Sequence, residues 1–152
     1  MELNESKLIE SEITLRKMAL TKEVKETRRS LIRWLALAMG IINPGESRLS
    51  AVEVFDALIY FHFKFKKNPT VDEIADYINT NWEQINEKTL RYHLLQLSKA
   101  NIVEHSKGRY SLVYPTGEEF DEIKWLDYYF KAQIEPIKES ISNALSELKN
   151  KG

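Results

Sequence analysis

Residues 68–114 read NPTVDEIADYINTNWEQINEKTLRYHLLQLSKANIVEHSKGRYSLVY and carry the strongest structural signal in the chain. Thr70 followed three residues later by Glu73 is a capping box, in which a hydroxyl and a carboxylate satisfy free N–H groups at the start of a helix. Apolar residues at helical spacing follow it. This pattern predicts a short helix from Thr70 to about Asn79.

A second helix is predicted from about residue 86 to residue 100. Leu90, Leu94 and Leu97 recur there at helical spacing and define one apolar face. Asn101 comes directly after this helix, and asparagine adopts the left-handed conformation that ends helices more readily than most residues. The two predicted helices are joined by a turn that contains Trp82.

The end of the segment predicts a β-hairpin. Residues 102–105 and 109–114 are rich in strand-forming residues, and Lys107-Gly108 lies between them as a tight turn. Pro115 ends the second strand, since proline has no N–H to donate. The predicted fold class is therefore mainly α with a small β-hairpin (α+β).

Further helices are predicted before this segment. Ser50 with Glu53 forms a second capping box and opens a helix. Residues 22–42 show helical spacing, and Asn43-Pro44-Gly45 stops that helix. Residues 1–20 are polar with weak periodicity and predict a loosely held helix or a frayed end.

The last predicted helix begins at a third capping box, Thr116 with Glu119, and is unusually long. At 1.5 Å per residue its apolar stripe extends over roughly 45 Å. Pro136 lies inside it and predicts a kink, because proline removes a hydrogen bond and clashes with the preceding turn. The stripe consists of Phe120, Ile123, Leu126, Phe130, Ile134, Ile137, Ile141, Leu145 and Leu148.

A stripe of this length exceeds what one small domain can cover. We therefore predict a homodimer built from both terminal helices. A helical hairpin within one monomer is the alternative. The predicted dimer-interface residues are Leu31, Leu35, Phe130, Ile134, Ile137, Ile141, Leu145 and Leu148.

Composition excludes several kinds of function. The chain has no cysteine, so it offers no disulfide, no thiolate metal site and no cysteine nucleophile. The longest apolar run, residues 31–42, contains Arg33 and is too short for a bilayer, which needs about 20 residues. No phosphate loop, paired-histidine zinc motif or nucleophile elbow is present. We predict a cytoplasmic protein that is not an enzyme and uses no cofactor or metal.

The helix at 86–100 presents a polar face opposite its leucines. Its outer residues can donate to base edges or phosphates, and arginine and glutamine make bidentate contacts with guanine and adenine. Between Ile85 and Tyr110 five basic residues face two acidic ones, although the whole chain has a net charge of −1. The predicted DNA-binding residues are Lys88, Thr89, Arg91, Tyr92, Gln96 and Lys99 on the helix, with Lys107 and Arg109 on the hairpin.

These motifs resemble the winged helix-turn-helix of ArsR-, MarR- and PadR-type transcription regulators. The plan of a helix before this domain and a long helix after it is similar to small dimeric archaeal regulators. The resemblance implies a dimer whose two recognition helices read half-sites about 34 Å apart. The matching residues are Glu73-Ile74-Ala75, Thr89-Leu90, His93-Leu94, Leu97, Ile102-Val103 and Tyr110-Ser111-Leu112.

The predicted organisation has three parts: a helical extension at 1–45, a winged helix-turn-helix domain at 46–115 and a dimerisation helix at 116–152. The predicted function is sequence-specific binding of double-stranded DNA by a dimeric transcriptional regulator, with helix 86–100 in the major groove and the wing at 105–109 on the backbone or in the minor groove. The alternative is a winged-helix module that binds another protein, because fold alone does not settle function. The sequence does not identify a small-molecule effector.

Overall fold

The chain is mostly helical, with one antiparallel two-stranded hairpin, as the sequence predicts. The computed structural model describes residues 3–115 and 117–152. A 3₁₀ turn at Glu5–Leu8 comes first. The elements that follow are α1 (Lys22–Lys25), α2 (Arg28–Ala38), α3 (Ser50–Phe65), α4 (Val71–Asn81), α5 (Glu87–Lys99), β1 (Val103–Ser106), β2 (Arg109–Leu112) and α6 (Glu122–Asn150).

The chain divides into two compact units, one ending at Val52 and one running from Glu53 to Gly152. In the first unit, the segment before α1 is held by the end of α2. The Arg16 guanidinium donates to the carbonyl of Leu37 at 2.7 Å and to that of Ile42 at 3.0 Å. Leu37 lies in the last turn of α2, where the negative ends of the peptide dipoles collect, so a cation there stabilises the helix end. The sequence predicts a frayed or loosely helical N-terminal segment. This prediction is wrong at Arg16, which is held in place by these hydrogen bonds.

The predicted continuous helix at 22–42 is also wrong, because the structure breaks it into α1 and α2. Thr27 has extended backbone angles, and its hydroxyl accepts the N–H of Ser30 at 3.1 Å. The Ser30 hydroxyl in turn donates to the carbonyl of Val24 at 2.7 Å. These local side-chain bonds compete with the helical ladder, which is why threonine and serine favour helix starts.

Helix α2 ends earlier than the sequence analysis predicts. It stops at Ala38, and Gly40 follows with φ of 71°. The Ile41 N–H donates to the carbonyl of Ala36 at 2.8 Å, which is the long bond of a Schellman motif. Glycine at 40, rather than the Asn-Pro-Gly at 43–45, is therefore the stop signal.

The second unit is built around α3, whose middle turns are buried on every side. Residues 53–59 are all buried, including the acids Glu53 and Asp56. A helix apolar around most of its circumference belongs at the centre of a core. The least exposed large side chains of this unit come from four elements and are Phe55, Leu58, Ile74, Ile78, Leu90, Leu94 and Leu112.

Two predicted helix starts are confirmed. Helix α3 begins at Ser50. At α4 the full capping box forms: the Thr70 hydroxyl accepts the N–H of Glu73 at 3.2 Å, and the Glu73 carboxylate accepts the N–H of Thr70 at 3.1 Å. Helix α4 then continues to Asn81, two residues beyond the predicted end.

The predicted hairpin is confirmed, with Val103 opposite Leu112 and Ser106 opposite Arg109. The predicted end of the second strand at Tyr114, before Pro115, is wrong, because β2 ends at Leu112. Lys107 and Gly108 form its turn with φ of 53° and 76°. Two successive positive φ values match the twist of a two-residue hairpin. Asn101 has φ of 59°, as predicted for the residue that ends α5.

The predicted start of the last helix is wrong. Helix α6 begins at Glu122, and Asp121 caps it by accepting the N–H groups of Ile123 and Lys124, both at 3.0 Å. The carbonyls that an earlier start would use are already occupied: Lys66 Nζ donates to Phe120 O at 2.8 Å, and the Tyr114 hydroxyl donates to Glu119 O at 2.9 Å. Thr116 itself lies outside the described residues.

Helix α6 continues through Pro136 without interruption, and the kink at this proline stays a prediction. The face of α6 that packs inward carries Trp125 and Tyr129. Phe120, predicted to begin the stripe, is buried before the helix starts. Of the other stripe residues, Ile137 is half-buried and the rest are exposed in a single chain, from 37% for Leu126 to 68% for Leu148.

Candidate nucleic-acid interface

The leucine face and the polar face of α5 separate as predicted. Leu90, Leu94 and Leu97 are buried, and Asn86 caps the helix by accepting the Thr89 N–H at 2.8 Å. Because the leucines direct one side of the helix into the core, the opposite side faces solvent. Of the predicted helix residues Thr89 is half-buried, whereas Lys88, Arg91, Tyr92, Gln96 and Lys99 are all exposed.

Arg91 is exposed but has a partner on its own helix. Its Nε and Nη2 donate to one carboxylate oxygen of Glu87, at 3.0 and 2.9 Å. This carboxylate raises the pKa of the Arg91 guanidinium, and Asp72 on α4 acts in the same direction with a smaller effect. An exposed pair one helical turn apart is weak and is screened by salt. Arg91 can therefore exchange Glu87 for a stronger anion at little cost.

Two apolar side chains interrupt the polar face of α5. Tyr92 is 56% exposed and Leu95 is 52% exposed, one turn apart on the same side. Tyr92 also packs edge-to-face on His93, with ring centroids 5.1 Å apart. Partial burial lowers the pKa of His93 below its ordinary value, so this ring stays neutral at pH 7.

At the hairpin, the two predicted DNA contacts are in different situations. Lys107 lies at the exposed tip. The Arg109 guanidinium instead donates to the carbonyl of Asn68 at 2.8 Å and lies 3.5 Å from a Glu73 oxygen. Arg109 thus ties β2 to the segment before α4, whereas Lys107 keeps its charge free for a ligand.

The start of α4 and the hairpin form one hydrogen-bonded junction. The N–H of Tyr110 donates to the carbonyl of Pro69 at 2.8 Å, and Thr70 pairs with Arg109 as an isolated bridge. Glu73 also binds the ammonium of Lys67. This ammonium, together with the N–H of Thr70, holds the pKa of the Glu73 carboxyl below its ordinary value. The junction makes the orientation of the hairpin depend on the cap of α4.

Asp56 holds the turn between α4 and α5, and sequence reasoning missed it. One carboxylate oxygen of this buried residue accepts the Tyr77 hydroxyl at 2.8 Å and the Trp82 Nε1–H at 2.9 Å. Buried carboxylates require such donors. Trp82 is the first residue of the long turn before α5, so the bond fixes where that turn begins. A lone acid inside the apolar run VFDALIY was the available signal.

His62 links α3 to the hairpin, and sequence reasoning did not predict this link either. It is buried, with Nδ1 2.8 Å from Leu58 O, and its Nε2 accepts the N–H of Leu112 at 3.2 Å. The bond from Leu112 requires Nε2 to be unprotonated, so Nδ1 carries the proton. Burial lowers the pKa of His62 more than the Leu58 carbonyl raises it, and the neutral ring is the stable form.

No protein-family model, curated protein or solved structure matches this chain. None of the helices that the structure describes has both the length and the apolar character needed to cross a membrane. Within residues 3–115 and 117–152, the His, Asp and Glu side chains form no group of three that could hold a metal ion.

Proposed function

We propose that α3–α5 and the hairpin act as a winged helix-turn-helix that binds double-stranded DNA, and that the protein works as a dimeric transcriptional regulator. Helix α5 would enter the major groove, and the hairpin tip would contact the backbone or the minor groove. The observation that carries the proposal is the open outer face of α5. Its cationic and amide side chains are exposed while Leu90, Leu94 and Leu97 are buried.

The geometry of the parts supports this assignment. Helix α5 has 13 residues, a length of about 20 Å at 1.5 Å per residue, which suits a recognition helix in a groove. The turn that leads into it is held through Trp82 and Asp56. Next to the start of α5, the Ile85 N–H donates to Asn79 Oδ1 at 3.0 Å. Its end is held through Gln133, which donates to the carbonyl of Ala100 at 3.0 Å. A helix fixed at both ends can present side chains to base edges in a defined register.

Electrophoretic mobility shifts with random duplexes at 50 and 200 mM salt test the proposal. With about 6–10 phosphates neutralised per dimer, affinity should fall roughly 10³–10⁵-fold between these concentrations. The sharper test is a matched pair of double variants, Lys88→Ala/Lys99→Ala on α5 and Lys124→Ala/Lys131→Ala on α6. All four lysines are exposed, so both variants lose the same charge. Only the α5 variant should lose binding.

Single substitutions then separate base reading from backbone contact. Arg91→Ala should weaken binding roughly tenfold or more and relax sequence preference, if Arg91 contacts a base. Lys107→Ala should weaken all sequences alike and reduce the salt slope by about one. Wild-type binding by both variants, or an equal loss from both lysine pairs, contradicts the proposed site.

A protein-binding role is the second candidate, and Tyr92 with Leu95 favours it. Two exposed apolar side chains on one face of α5 suit a protein partner, because aromatic residues are enriched in the centres of protein interfaces. Leu95 could alternatively contact a thymine methyl. Leu95→Ser distinguishes the two, since loss of DNA affinity only at thymine-containing sites supports base contact. Absence of any DNA shift even at low salt favours the protein-binding role.

A further inference from the structure

The exposed apolar residues of α6 follow an 11-residue repeat. Within α6 the separations between successive members are 3, 4, 4, 3, 4, 4 and 3 residues. An 11-residue repeat corresponds to about 3.67 residues per turn, so the residues remain on one narrow face of a helix that winds slightly right-handed. We call this set the α6 stripe: Ile123, Leu126, Phe130, Ile134, Ile137, Ile141, Leu145 and Leu148.

The α6 stripe is also symmetric about its own midpoint. The same series of separations is read from either end. An antiparallel copy centred between Glu135 and Pro136 therefore sets each apolar residue opposite another: Ile123 with Leu148, Leu126 with Leu145, Phe130 with Ile141, and Ile134 with Ile137. An 11-residue repeat that begins and ends on a separation of three reads the same in both directions, so it fits a two-fold antiparallel pair, in which each contact occurs twice.

We propose that α6 binds α6 of a second copy in antiparallel orientation along this stripe. Residues 138–150 are all exposed in the single chain, and a helix this short is marginal in water without a packed face. The partner's stripe supplies that face. The N-terminal part of the stripe is open to receive it, since Ile123 is 62% exposed and Leu126 is 37% exposed.

The charges beside the stripe favour antiparallel over parallel pairing. On a wheel of about 3.67 residues per turn, Asp127, Lys138 and Lys149 lie on one flank, while Glu122 and Gln133 lie on the other. Antiparallel pairing turns like flanks towards each other, so Asp127 of each copy lies between Lys138 and Lys149 of the other copy, and these four attractions outnumber the single approach of the two Lys138 side chains. Parallel pairing would instead bring Asp127 beside Glu122 of the second copy, a repulsion between like charges.

The antiparallel register also sets the distance between the two domains. The buried Trp125 marks where α6 packs on its own domain. In this register the two Trp125 positions are separated along the helix pair by about 30 Å, taking 1.5 Å per residue. This spacing approaches the roughly 34 Å between half-sites on one face of DNA. The comparison with DNA is the only step here that rests on the proposed DNA-binding function.

Cysteine cross-linking tests the orientation cleanly, because the chain has no cysteine of its own. Three single variants are needed: Ile123→Cys, Leu148→Cys, and the control Glu139→Cys, which lies on the opposite face of α6. Each is oxidised alone, and the first two are also co-expressed and oxidised together. The antiparallel pair predicts a disulfide-linked dimer from the co-expressed variants only, since positions 123 of the two copies lie about 38 Å apart at 1.5 Å per residue.

Three results would overturn the inference. Efficient cross-linking of Ile123→Cys alone would demonstrate a parallel pair. A dimeric mass without cross-linking in the co-expressed sample would place the interface elsewhere, for example on Leu31 and Leu35 of α2. Light scattering that returned the 17.8 kDa monomer would remove the pair altogether. A cross-linked dimer that shifts no DNA would instead contradict the proposed function and leave the pairing intact.

Discussion

Two regions of the second unit use apolar side chains in opposite ways. In α3–α5 and the hairpin, the leucines and isoleucines other than Leu95 are buried, and polar bonds join the elements to each other. In the second half of α6, the apolar residues are mostly exposed and no residue from 138 to 150 is buried. The first region obtains its stability within one chain. The second requires a surface that one chain does not supply.

The largest expected effect contrasts one leucine from each region. Leu94→Ala should lower the free energy of unfolding by about 2–5 kcal/mol, because it leaves a cavity in a packed core. Leu148 is 68% exposed, so Leu148→Ala should change the stability of dilute, monomeric protein by less than about 0.5 kcal/mol. Urea unfolding over a range of protein concentrations measures both. Equal losses of stability from Leu94→Ala and Leu148→Ala at low protein concentration would contradict this difference between the regions.

A second prediction concerns the buried bonds at Asp56. Asp56→Ala should cost about 3 kcal/mol in urea unfolding, because each buried donor left without an acceptor costs about 1–3 kcal/mol. Trp82→Phe removes one donor while keeping an aromatic ring, and it should cost less. If Asp56→Ala proved neutral, the start of α5 would not depend on this carboxylate.

The hairpin offers a comparison between neighbouring cations. Arg109→Ala should destabilise the protein by about 1 kcal/mol, because the bond to the Asn68 carbonyl is lost. Lys107→Ala should change stability by less than about 0.5 kcal/mol, since the residue is exposed at the tip. Thermal unfolding measures the difference. A greater loss of stability for Lys107→Ala would reverse the assignment of the two roles.

The smallest effect is a pH dependence from His62. Its pKa in the folded protein is lowered from 6.5, so above pH 6.5 both folded and unfolded chains hold the neutral ring and stability is complete. As pH falls below 6.5 the unfolded chain takes up the proton first, and stability decreases until the pH passes the folded pKa. His62→Gln should flatten this slope more than His93→Gln does. An unchanged slope in His62→Gln would assign the effect to other groups.

The elements that sequence predicted well are those specified by neighbouring residues. The Thr70–Glu73 box, the leucine face of α5 and the Lys107-Gly108 turn all involve residues at most seven positions apart. Caps and turns depend on local backbone geometry, which the local sequence controls. The same reasoning failed at α2 because Val24 and Leu31, on either side of Thr27, are seven residues apart and so still match helical spacing. The stop signal at Gly40 was also missed.

At the candidate site, sequence identified which α5 residues face outward but not which cations are free. Nothing near Arg109 in the chain predicts its bond to Asn68, 41 residues away. The bond from Leu112 to His62 spans 50 residues, and that from Trp82 to Asp56 spans 26. Such bonds exist only after the helices have packed.

Local chemistry, then, was enough to specify where most helices begin, where the hairpin turns and which face of α5 is polar, because these depend on contacts within a few residues. Folding in three dimensions assigned the partners of Asp56, His62 and Arg109. It also displaced the start of α6 to Glu122, since Lys66 and Tyr114 occupy the carbonyls before it. Long-range partners are selected by the packed core, and no short stretch of sequence contains that information.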